Sequence, residues 1–247
     1  MRFIKRALLV AFGVFVLWFG LALSHWLPLT TDVQRKALAI MAAPPEMAKG
    51  QHNAFATLWL AQYDIPAADM DKVMAADIAR FHPASTDEAA AGFVSSAEGH
   101  YPKQAPEPVS AQVLCSLKDE DCLAKVRENT GAIRKVLSEH DLVLDHLRSL
   151  DSADYYQSIF PDSLNSPIPS FLGNGQLQIA DAAVQFVDGD KAEGLTRACS
   201  TANNWRRLAI HSDNLIAKML GVAIFDAAAD LFADMLAEMP ADAPLPD

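Results

Sequence analysis

The chain has 247 residues, of which 51% are hydrophobic, and its formal net charge is −11. This content supplies enough apolar surface for a core, so a chain that is disordered throughout is excluded; a surface this negative repels phosphate backbones, so nucleic acid is not expected as a partner. Only 8% of the residues are aromatic while alanine is abundant, which favours helix over strand and predicts an all-α fold.

The amino-terminal segment has the features of a membrane-spanning helix. Arg2, Lys5 and Arg6 precede an uncharged stretch, residues 7–23, whose most polar members are glycines. The apolar character continues beyond it, so residues 7–29 supply enough length for a helix, which needs about 20 residues to cross a bilayer core. Because basic residues stay on the cytoplasmic side, we expect a single pass through a bacterial inner membrane, with the rest of the chain in the periplasm.

Two other interpretations of this segment stay open. Ala22 and Ser24 place small residues where a signal peptidase cuts, so residues 1–29 are either an uncleaved anchor or a signal peptide. The apolar run exceeds the roughly 7 to 15 residues of a usual signal core, which favours the anchor. A buried core helix is the third interpretation, but it leaves the basic cluster without a reason. Residues 30–50 are predicted to be a juxtamembrane linker, broken by two consecutive prolines.

Residues 51–239 are predicted to form one helical domain in the periplasm. Its first helix begins with Asn53 as the cap and ends before Pro66, and its second helix covers residues 68–81. Residues 82–108 are rich in proline, serine and glycine, which predicts a long loop.

Helices dominate the rest of this domain. They return near Ser110 and are interrupted at residues 129–131, whereas the proline-rich run 154–175 is predicted to lie extended across a helical face. Three predicted helices close the domain, at residues 176–187, 191–210 and 212–239. Ser212 is the expected cap of the last one. Short connections make these helices antiparallel neighbours, which predicts a helical-hairpin bundle or a solenoid-like stack, followed by a disordered tail at 240–247.

Cys115 and Cys122 are natural disulfide partners in an exported domain. Seven residues of continuous helix span about 10.5 Å, beyond the roughly 7 Å limit for the α-carbons of bridged cysteines, so the chain must turn between them. The polar residues 118–121 suit that turn. The alternative, in which both thiols are free on helices, stays open. Cys199 lies on an amphipathic pattern and is predicted to be a buried, inert thiol.

The polar clusters do not combine into a catalytic or metal site. His140 and His146 are six residues apart, so on a helix they point about 120° away from each other and cannot share a metal. Solvated helix positions or loop residues explain both. Ser212 lies between a histidine and an aspartate, but a helix cap explains it better than a catalytic triad. No catalytic, cofactor-binding or metal-binding residue is therefore predicted, and no cofactor is expected.

Two charge patterns bear on possible partners. Acidic residues recur at every fourth position of the last predicted helix: Asp226, Asp230, Asp234 and Glu238. They predict a solvated ridge, which could attract a basic partner. Lys218 lies among apolar residues, and Arg206 and Arg207 follow Trp205, so buried ion pairs with aspartates are expected at these positions. If the chain has a functional site that no motif reveals, we expect it near Lys218 or near Trp205, Arg206 and Arg207.

Three patches of residues carry a resemblance. They are Asn53-Ala54-Phe55 with Leu58 before Pro66, Cys122-Leu123-Ala124 with Cys115, and Trp205-Arg206 followed by Leu215-Ile216 and Lys218-Met219. In these patches the chain resembles a family of uncharacterised proteobacterial envelope proteins. The resemblance covers about two thirds of the chain. It implies export, helices and the cysteine pair, and it implies no activity.

Together these features predict a membrane-tethered periplasmic helical module, held in the inner membrane through residues 7–29. We expect it to bind a protein or peptide of the envelope in grooves between helix pairs, without a catalytic role. Two alternatives stay open. One is an envelope hydrolase whose site is assembled from distant helices, and the other is a helical domain that binds a small molecule or a lipid in an apolar tunnel.

Overall fold

The computed structural model describes residues 12–16, 18–20, 31–36, 51–82, 92–104, 113–119, 121–160 and 166–240. The chain divides into two compact units, Met1–Glu46 and Met47–Asp247. The division falls inside the predicted linker, residues 30–50. Apart from Pro240, the predicted tail lies outside the described residues.

In the first unit, residues 12–16, 18–20 and 32–36 are helical. Their side chains are exposed, and the rings of Phe15 and Phe19, one helical turn apart, stack with their centroids 6.1 Å apart. Most of the predicted span, residues 7–29, lies outside the described residues. Among those that are described, no helix is both long enough and apolar enough to cross a membrane. The anchor therefore stays a prediction.

The described residues of the second unit form α-helices and no β-strand, which confirms the all-α class. In chain order the helices are α1 (Phe55–Trp59), α2 (Ala67–Arg80), α3 (Cys122–Ser138), α4 (Asp141–Arg148), α5 (Phe171–Val187), α6 (Lys191–Ile210) and α7 (Leu215–Ala237). A 3₁₀ turn, Ser149–Ser152, follows α4. Isolated backbone bridges connect the loops to one another.

Helix α1 is much shorter than predicted. The side chain of Asn53 accepts a hydrogen bond from the amide of Phe55 (3.0 Å), but the cap position is Ala54 and not Asn53 as predicted, and the helix ends at Trp59. Tyr63, predicted as part of the same helix, lies in a turn beyond it and pairs with Lys103 through an isolated bridge. The pairing of Tyr63 with a distant loop ends the helix earlier than the local pattern indicates.

Helix α2 agrees with the sequence prediction, whereas α3 begins at Cys122 and not near Ser110, because the described residues 113–119 form turns. Helix α2 begins directly after Pro66, whose fixed φ suits a helix start. Helix α3 departs from helical geometry at Asn129, where φ is −124° and ψ is 19°. The side chains of Asn129 and Thr130 donate to the carbonyls of Lys125 and Val126 one turn earlier, and such bonds compete with the helical backbone. This is the interruption predicted at residues 129–131.

The three closing helices are joined by short turns. Gly189 has a φ of +101°, which glycine adopts without strain, and it turns the chain between α5 and α6. Gly194 of α6 lies so close to Phe186 of α5 that an added Cβ would be 2.8 Å from the Phe186 amide nitrogen. The fully buried indole of Trp205 on α6 packs edge-on against the ring of Phe171, with centroids 5.8 Å apart. Close backbone approach therefore holds α5 and α6 together.

Helix α5 begins at Phe171, five residues earlier than predicted. As a result Gly175 lies inside a helix and not in an extended run. It faces Ile224 of α7, and an added Cβ would be 2.6 Å from that side chain. The glycine is used for close packing of two helices, which the proline-rich sequence around it does not reveal.

Helix α7 is capped by Asn214 and not by Ser212. The Asn214 side chain accepts hydrogen bonds from the amides of Ile216 (2.8 Å) and Ala217 (3.1 Å). Ser212 instead forms a backbone bridge with Tyr156 in the segment before α5. Aspartate, asparagine and serine are all good caps, so the pattern alone does not choose among neighbours.

The described residues of 154–170 form no helix, as the prolines predict. This segment runs between the start of α1 and the turn before α7. Tyr155 pairs with the backbone of Asn53, and Tyr156 pairs with that of Ser212. The ring of Tyr156 is buried, so the segment contributes to the core.

Candidate functional site

A cavity of about 600 Å³ lies between α1, the loop 92–104 and the start of α5. Its apolar lining includes Trp59, Phe93, Ile168 and Leu177. Polar side chains also line it, among them Gln62, Ser95, His140 and Asn174. This size and this mixture of apolar walls with a few polar groups are typical of binding sites for small ligands.

The cavity walls are positioned by one buried carboxylate. Asp77 of α2 is fully buried. It accepts hydrogen bonds from Trp59 Nε1 (2.8 Å), from Ser95 Oγ (2.6 Å) and from the Ser96 amide. All three donors are uncharged. Asp77 therefore connects α1 to the loop 92–104, and it does so directly beside the cavity.

A second polar group holds the end of the same loop. The Tyr63 hydroxyl donates to Glu98 (2.6 Å), and Lys103 Nζ donates to the same carboxylate (2.9 Å). Burial and the bond to Glu98 raise the pKa of the Tyr63 hydroxyl, and the bonds from Tyr63 and Lys103 lower the pKa of Glu98. Lys103 is the only Lys or Arg among the described residues that line the cavity, and its charge is balanced by Glu98.

His140 and Asn174 are the unusual residues of this cavity. Both are more than nine-tenths buried, with exposed fractions of 7% and 6%. His140 Nδ1 lies 2.7 Å from the carbonyl of Val136, whereas His140 Nε2 and Asn174 Nδ2 have no hydrogen-bond partner within the described parts of the chain. His140 lies in the turn between α3 and α4, so the expectation of a loop residue fits, but the expectation of a solvated one was wrong, because the ring turns back onto the last turn of α3.

His146 is only partly buried and has a separate contact. Its Nδ1 lies 2.9 Å from the carbonyl of Ala61. The two histidines therefore bind different backbone groups. Across the residues that the structure describes, no group of three or more metal-ligating side chains comes together.

The hydroxyl and imidazole groups of the cavity are bonded to partners other than each other. Nucleophilic catalysis requires a hydroxyl or thiol that is hydrogen-bonded to a base. Ser95 donates its hydroxyl hydrogen to Asp77, while His140 is bonded to the Val136 carbonyl. The hydroxyl and the imidazole thus have other partners in the described region.

A second candidate site is the solvent-facing side of α7. Its first half exposes four large apolar side chains: Leu215 (71%), Ile216 (49%), Met219 (63%) and Val222 (49%). Its second half exposes the acidic residues Asp226, Asp230, Asp234 and Glu238. At about 100° per residue these eight positions lie on one side of the helix, opposite the buried Ile224 and Ala228. We refer to these eight residues as the split face of α7.

The acidic half of the split face is an exposed ridge, as predicted, and it retains unfavourable negative charge. Partial burial raises the pKa of Asp234, and the charges of Asp121, Asp230 and Glu238 raise it further. Glu238 is paired with Arg127 of α3, with 2.5 Å between Nη2 and Oε2. The ridge thus has like charges in mutual proximity, a condition that a basic partner would relieve.

No family model, curated protein or solved structure matches this chain. Its function is therefore inferred from its own residues, and the resemblance to envelope proteins stays an expectation. Phe55, Cys122 and Trp205, one from each resembling patch, are buried. Burial gives these residues a packing role.

The buried ion pairs are not where the sequence predicted them. Lys218 and Arg206 are exposed, and Arg207 donates to backbone carbonyls. Lys218 is exposed because its apolar neighbours belong to the split face, which faces solvent. The buried acid is instead Asp181 of α5, which pairs with Arg197 of α6 at 2.6 Å and with an arginine of α4. A smaller cavity of about 310 Å³ lies beside this group.

Cys115 and Cys122 are joined by a disulfide, and their α-carbons are 5.5 Å apart. The chain turns between them, as the geometry requires, because α3 begins only at Cys122. Asp119 stabilises the turn by accepting hydrogen bonds from the amide (2.7 Å) and hydroxyl (2.9 Å) of Ser116. Cys199 is half-buried and not fully buried as expected.

Sequence reasoning missed both His140 and Asn174 as site residues. Asn174 falls in the run predicted to be extended, although Pro169 and Ser170 before an apolar stretch are a usual signal for a helix start. That signal would have placed Asn174 in the first turn of α5. His140 carried no comparable signal, because its burial depends on the packing of α3 against α5.

Proposed function

We propose that this chain is a membrane-tethered helical module of the bacterial cell envelope, which binds a protein partner through the split face of α7 and is not a catalyst. Residues 7–29 hold it in the inner membrane and the helical domain lies in the periplasm. One observation carries the binding role: four large apolar side chains in succession are half-exposed or more on a chain with a net charge of −11.

Exposed apolar patches of this kind are uncommon on monomeric soluble proteins and mark interaction surfaces. Leu215, Met219 and Val222 are spaced like the anchors of a helix that meets another helix. The opposite side of α7 is already buried against its neighbours, so the exposed apolar side chains are not needed for the internal core. An external partner accounts for them.

The charge of the split face defines the chemistry of that partner. Asp226, Asp230 and Asp234 continue the apolar half along the same side of the helix. A complementary segment therefore has apolar residues at one end and lysine or arginine at the other. An anionic lipid surface fits poorly, because the acidic half would repel its headgroups.

A second copy of this chain also fits poorly. Two split faces in parallel would place acidic residues against acidic residues, and two in antiparallel register would place apolar residues against acidic ones. A dimer confined to the apolar halves would bury only four side chains from each copy and would leave both acidic halves without a basic partner. The proposed occupant is therefore an amphipathic, basic segment of another protein.

Photocrosslinking in living cells tests this proposal on the full chain. A photoreactive phenylalanine analogue replaces Met219, and a control chain carries it at Lys135, whose side chain is 78% exposed on α3. We expect an adduct from position 219 alone, with a crosslinked peptide that mass spectrometry shows to be apolar at one end and basic at the other. Asp226→Lys with Asp230→Lys should lower the yield about tenfold.

Three results would overturn the binding role: no protein adduct at position 219, an adduct with lipid alone, or an adduct with a second copy of this chain. The location is tested separately by a reporter enzyme fused after Asp247. Reporter activity confined to the cytoplasm would contradict the tether and the periplasmic domain.

A further inference from the structure

The smaller cavity, of about 310 Å³, lies between α4, the 3₁₀ turn, α5 and α6, and most of its lining residues are charged or polar. Two arginines of this lining meet at one carboxylate oxygen. Asp181 Oδ2 is 3.2 Å from Arg148 Nη2 and 2.6 Å from Arg197 Nη1. Both guanidinium groups are accessible, since the side chains of Arg148 and Arg197 are 47% and 25% exposed. These contacts place two cationic groups next to each other on the wall of the cavity.

Both guanidinium groups have hydrogens that the protein does not use. A guanidinium has five N–H donors. Arg148 donates from Nη1 to Asp145 and from Nη2 to Asp181. Arg197 donates from Nε to Glu193 and from Nη1 to Asp181. Nη2 of Arg197 has no hydrogen-bond partner within the described parts of the chain, so its two hydrogens are free to bind an oxygen in the cavity.

A carboxylate lies about one helical turn away from these arginines. Asp151 of the 3₁₀ turn also lines the cavity and is exposed. Its Oδ1 accepts hydrogen bonds from Ser200 Oγ (2.5 Å) and Asn204 Nδ2 (2.6 Å) of α6, and no basic side chain of the described region forms an ion pair with it. Because Ser200 follows Arg197 by three residues, the carboxylate and the guanidinium contact α6 at levels about 4.5 Å apart.

The charges of the lining disfavour a ligand with a charge of only one sign. Three acids, Asp151, Asp181 and Glu193, line the cavity together with Arg148 and Arg197, which leaves one net negative charge. A simple anion would meet this negative excess, and a simple cation would meet two guanidinium groups. A molecule with an ammonium and a carboxylate would instead find an opposite charge at each end. Water and hydroxyl groups can form the same hydrogen bonds, but they have no charge to balance either end.

We infer that the smaller cavity binds a small zwitterion, an amino acid with a free ammonium and a free carboxylate, with the carboxylate on Arg148 and Arg197 and the ammonium on Asp151. A volume of about 310 Å³ is at the lower end for ligand sites, which suits a molecule of this size. The inference goes beyond the proposed function and does not rest on it, because the described lining residues include none of the split face of α7.

Isothermal titration calorimetry on the full chain, reconstituted in lipid nanodiscs, tests the inference. Three probes are zwitterions whose charges are progressively further apart: glycine, β-alanine and 4-aminobutanoate. Two others, acetate and methylammonium, each have only one of the charges. We expect saturable binding of at least one zwitterion, and at least tenfold weaker binding of both single ions at the same ionic strength. The zwitterion that binds most tightly gives the distance between the two charged ends of the site.

Asp151→Asn tests the ammonium end of the site. This variant removes the charge but keeps a side-chain oxygen that can accept from Ser200 and Asn204. It should weaken binding of the zwitterion about tenfold and leave the affinity for acetate unchanged or higher, because only the ammonium loses its partner. Asp71→Asn, at an exposed position on α2, is the matched control and should change neither affinity.

Arg148→Gln tests the carboxylate end. Arg197 still pairs with the buried Asp181 in this variant, so the melting temperature should fall little. The zwitterion and acetate should both bind more weakly, by about tenfold, whereas the affinity for methylammonium should not fall. A residue with a structural role alone would not distinguish the two single ions in this way.

The inference fails if none of the three zwitterions binds at millimolar concentration, or if acetate or methylammonium binds as tightly as the best of them. It also fails if Asp151→Asn or Arg148→Gln, with an unchanged melting temperature, leaves the affinity for the zwitterion intact. The ligand would then occupy another site.

Discussion

The domain contains two regions that are stabilised in different ways. The described residues of 51–160 form helices of 5 to 17 residues and loops, which are joined by an aromatic cluster, a few polar groups and a disulfide. Residues 166–240 form three long helices that pack through small residues and buried aromatic rings. Asp77 is representative of the first region, with three hydrogen bonds on one carboxylate, and Gly194 of the second, with the backbone of a neighbouring helix in direct contact.

This difference follows from the lengths of the elements. Long helices can bury a continuous apolar face, so α5, α6 and α7 pack mainly through apolar side chains, and the Asp181–Arg197 ion pair adds a buried polar contact between α5 and α6. The loop 92–104 packs Phe93 against the rings of Trp59, Phe81 and Phe160, and it also keeps its position through Asp77, through Glu98 and through backbone bonds to the turn after α1. The cavity lies where the two regions meet, so a small number of polar groups determine its shape.

The largest expected effect comes from the polar anchor of the first region. Asp77→Ala should lower the free energy of unfolding by about 4 kcal/mol, because it leaves one buried and two partly buried donors without an acceptor. Urea unfolding of the full chain measures the loss. Hydrogen exchange should rise in the loop 92–104 while α5 to α7 stay protected.

Asp71→Ala is the matched control for this change, since Asp71 is an exposed aspartate on the same helix. We expect it to change the free energy of unfolding by less than about 0.5 kcal/mol. Equal losses from the two variants would show that Asp77 is not an anchor.

The disulfide is the second anchor of the first region. Replacing both Cys115 and Cys122 by serine should lower the free energy of unfolding by about 2.5 kcal/mol, because the unfolded chain regains the entropy of an open loop. Chemical denaturation under non-reducing conditions measures the loss, and Cys199→Ser is the control that should have little effect. A stability that is indifferent to the loss of both cysteines would contradict the contribution of the bridge.

Close packing in the second region predicts a somewhat smaller effect. Gly194→Ala should lower the free energy of unfolding by about 2 kcal/mol, because the new Cβ would lie 2.7 to 2.9 Å from atoms of Phe186, including its backbone. Gly131→Ala in α3 is the control, since no atom lies within 4 Å of its added Cβ. It should stabilise the chain by about 0.5 kcal/mol. If Gly194→Ala and Gly131→Ala changed the free energy of unfolding in the same direction, α5 and α6 would not be in tight contact.

The same division explains what the sequence could predict. The limits of α6 and the interruption of α3 at Asn129 are correct, because both depend on residues that are near one another in sequence. The exposure of the acids on α7 was predicted correctly from their spacing for the same reason. Long, regular patterns predict structure well because each turn repeats the same preference.

The cap of α7 and the start of α5 were missed among neighbouring residues, whereas the other errors involve partners that are far apart in sequence. Helix α1 ends early because Tyr63 pairs with a loop 40 residues later. The burial of His140 and the pairing of Asp181 with Arg197 depend on how helices meet, and no local pattern encodes that. The cavity could not be predicted from the sequence, since its lining comes from elements separated by more than 100 residues.

The smallest expected effect concerns two acids, one from each region, whose pKa values are shifted in opposite directions. Tyr63 and Lys103 lower the pKa of Glu98, so its contribution to stability is present at neutral pH and is lost as the pH falls through that lowered pKa. Partial burial and neighbouring acids raise the pKa of Asp234, so its contribution is present at low pH and is lost as the pH rises through the raised value.

Carbon-13 NMR titration of the side-chain carboxyls measures both pKa values. We expect Tyr63→Phe to raise the pKa of Glu98 towards its ordinary value of 4.5, because the variant removes the largest cause of the shift. Asp230→Asn should lower the pKa of Asp234 towards 3.8, since one repelling charge is gone. If both variants shifted these pKa values in the same direction, the acids on α7 would not repel one another measurably. The split face would then have less need of a basic partner.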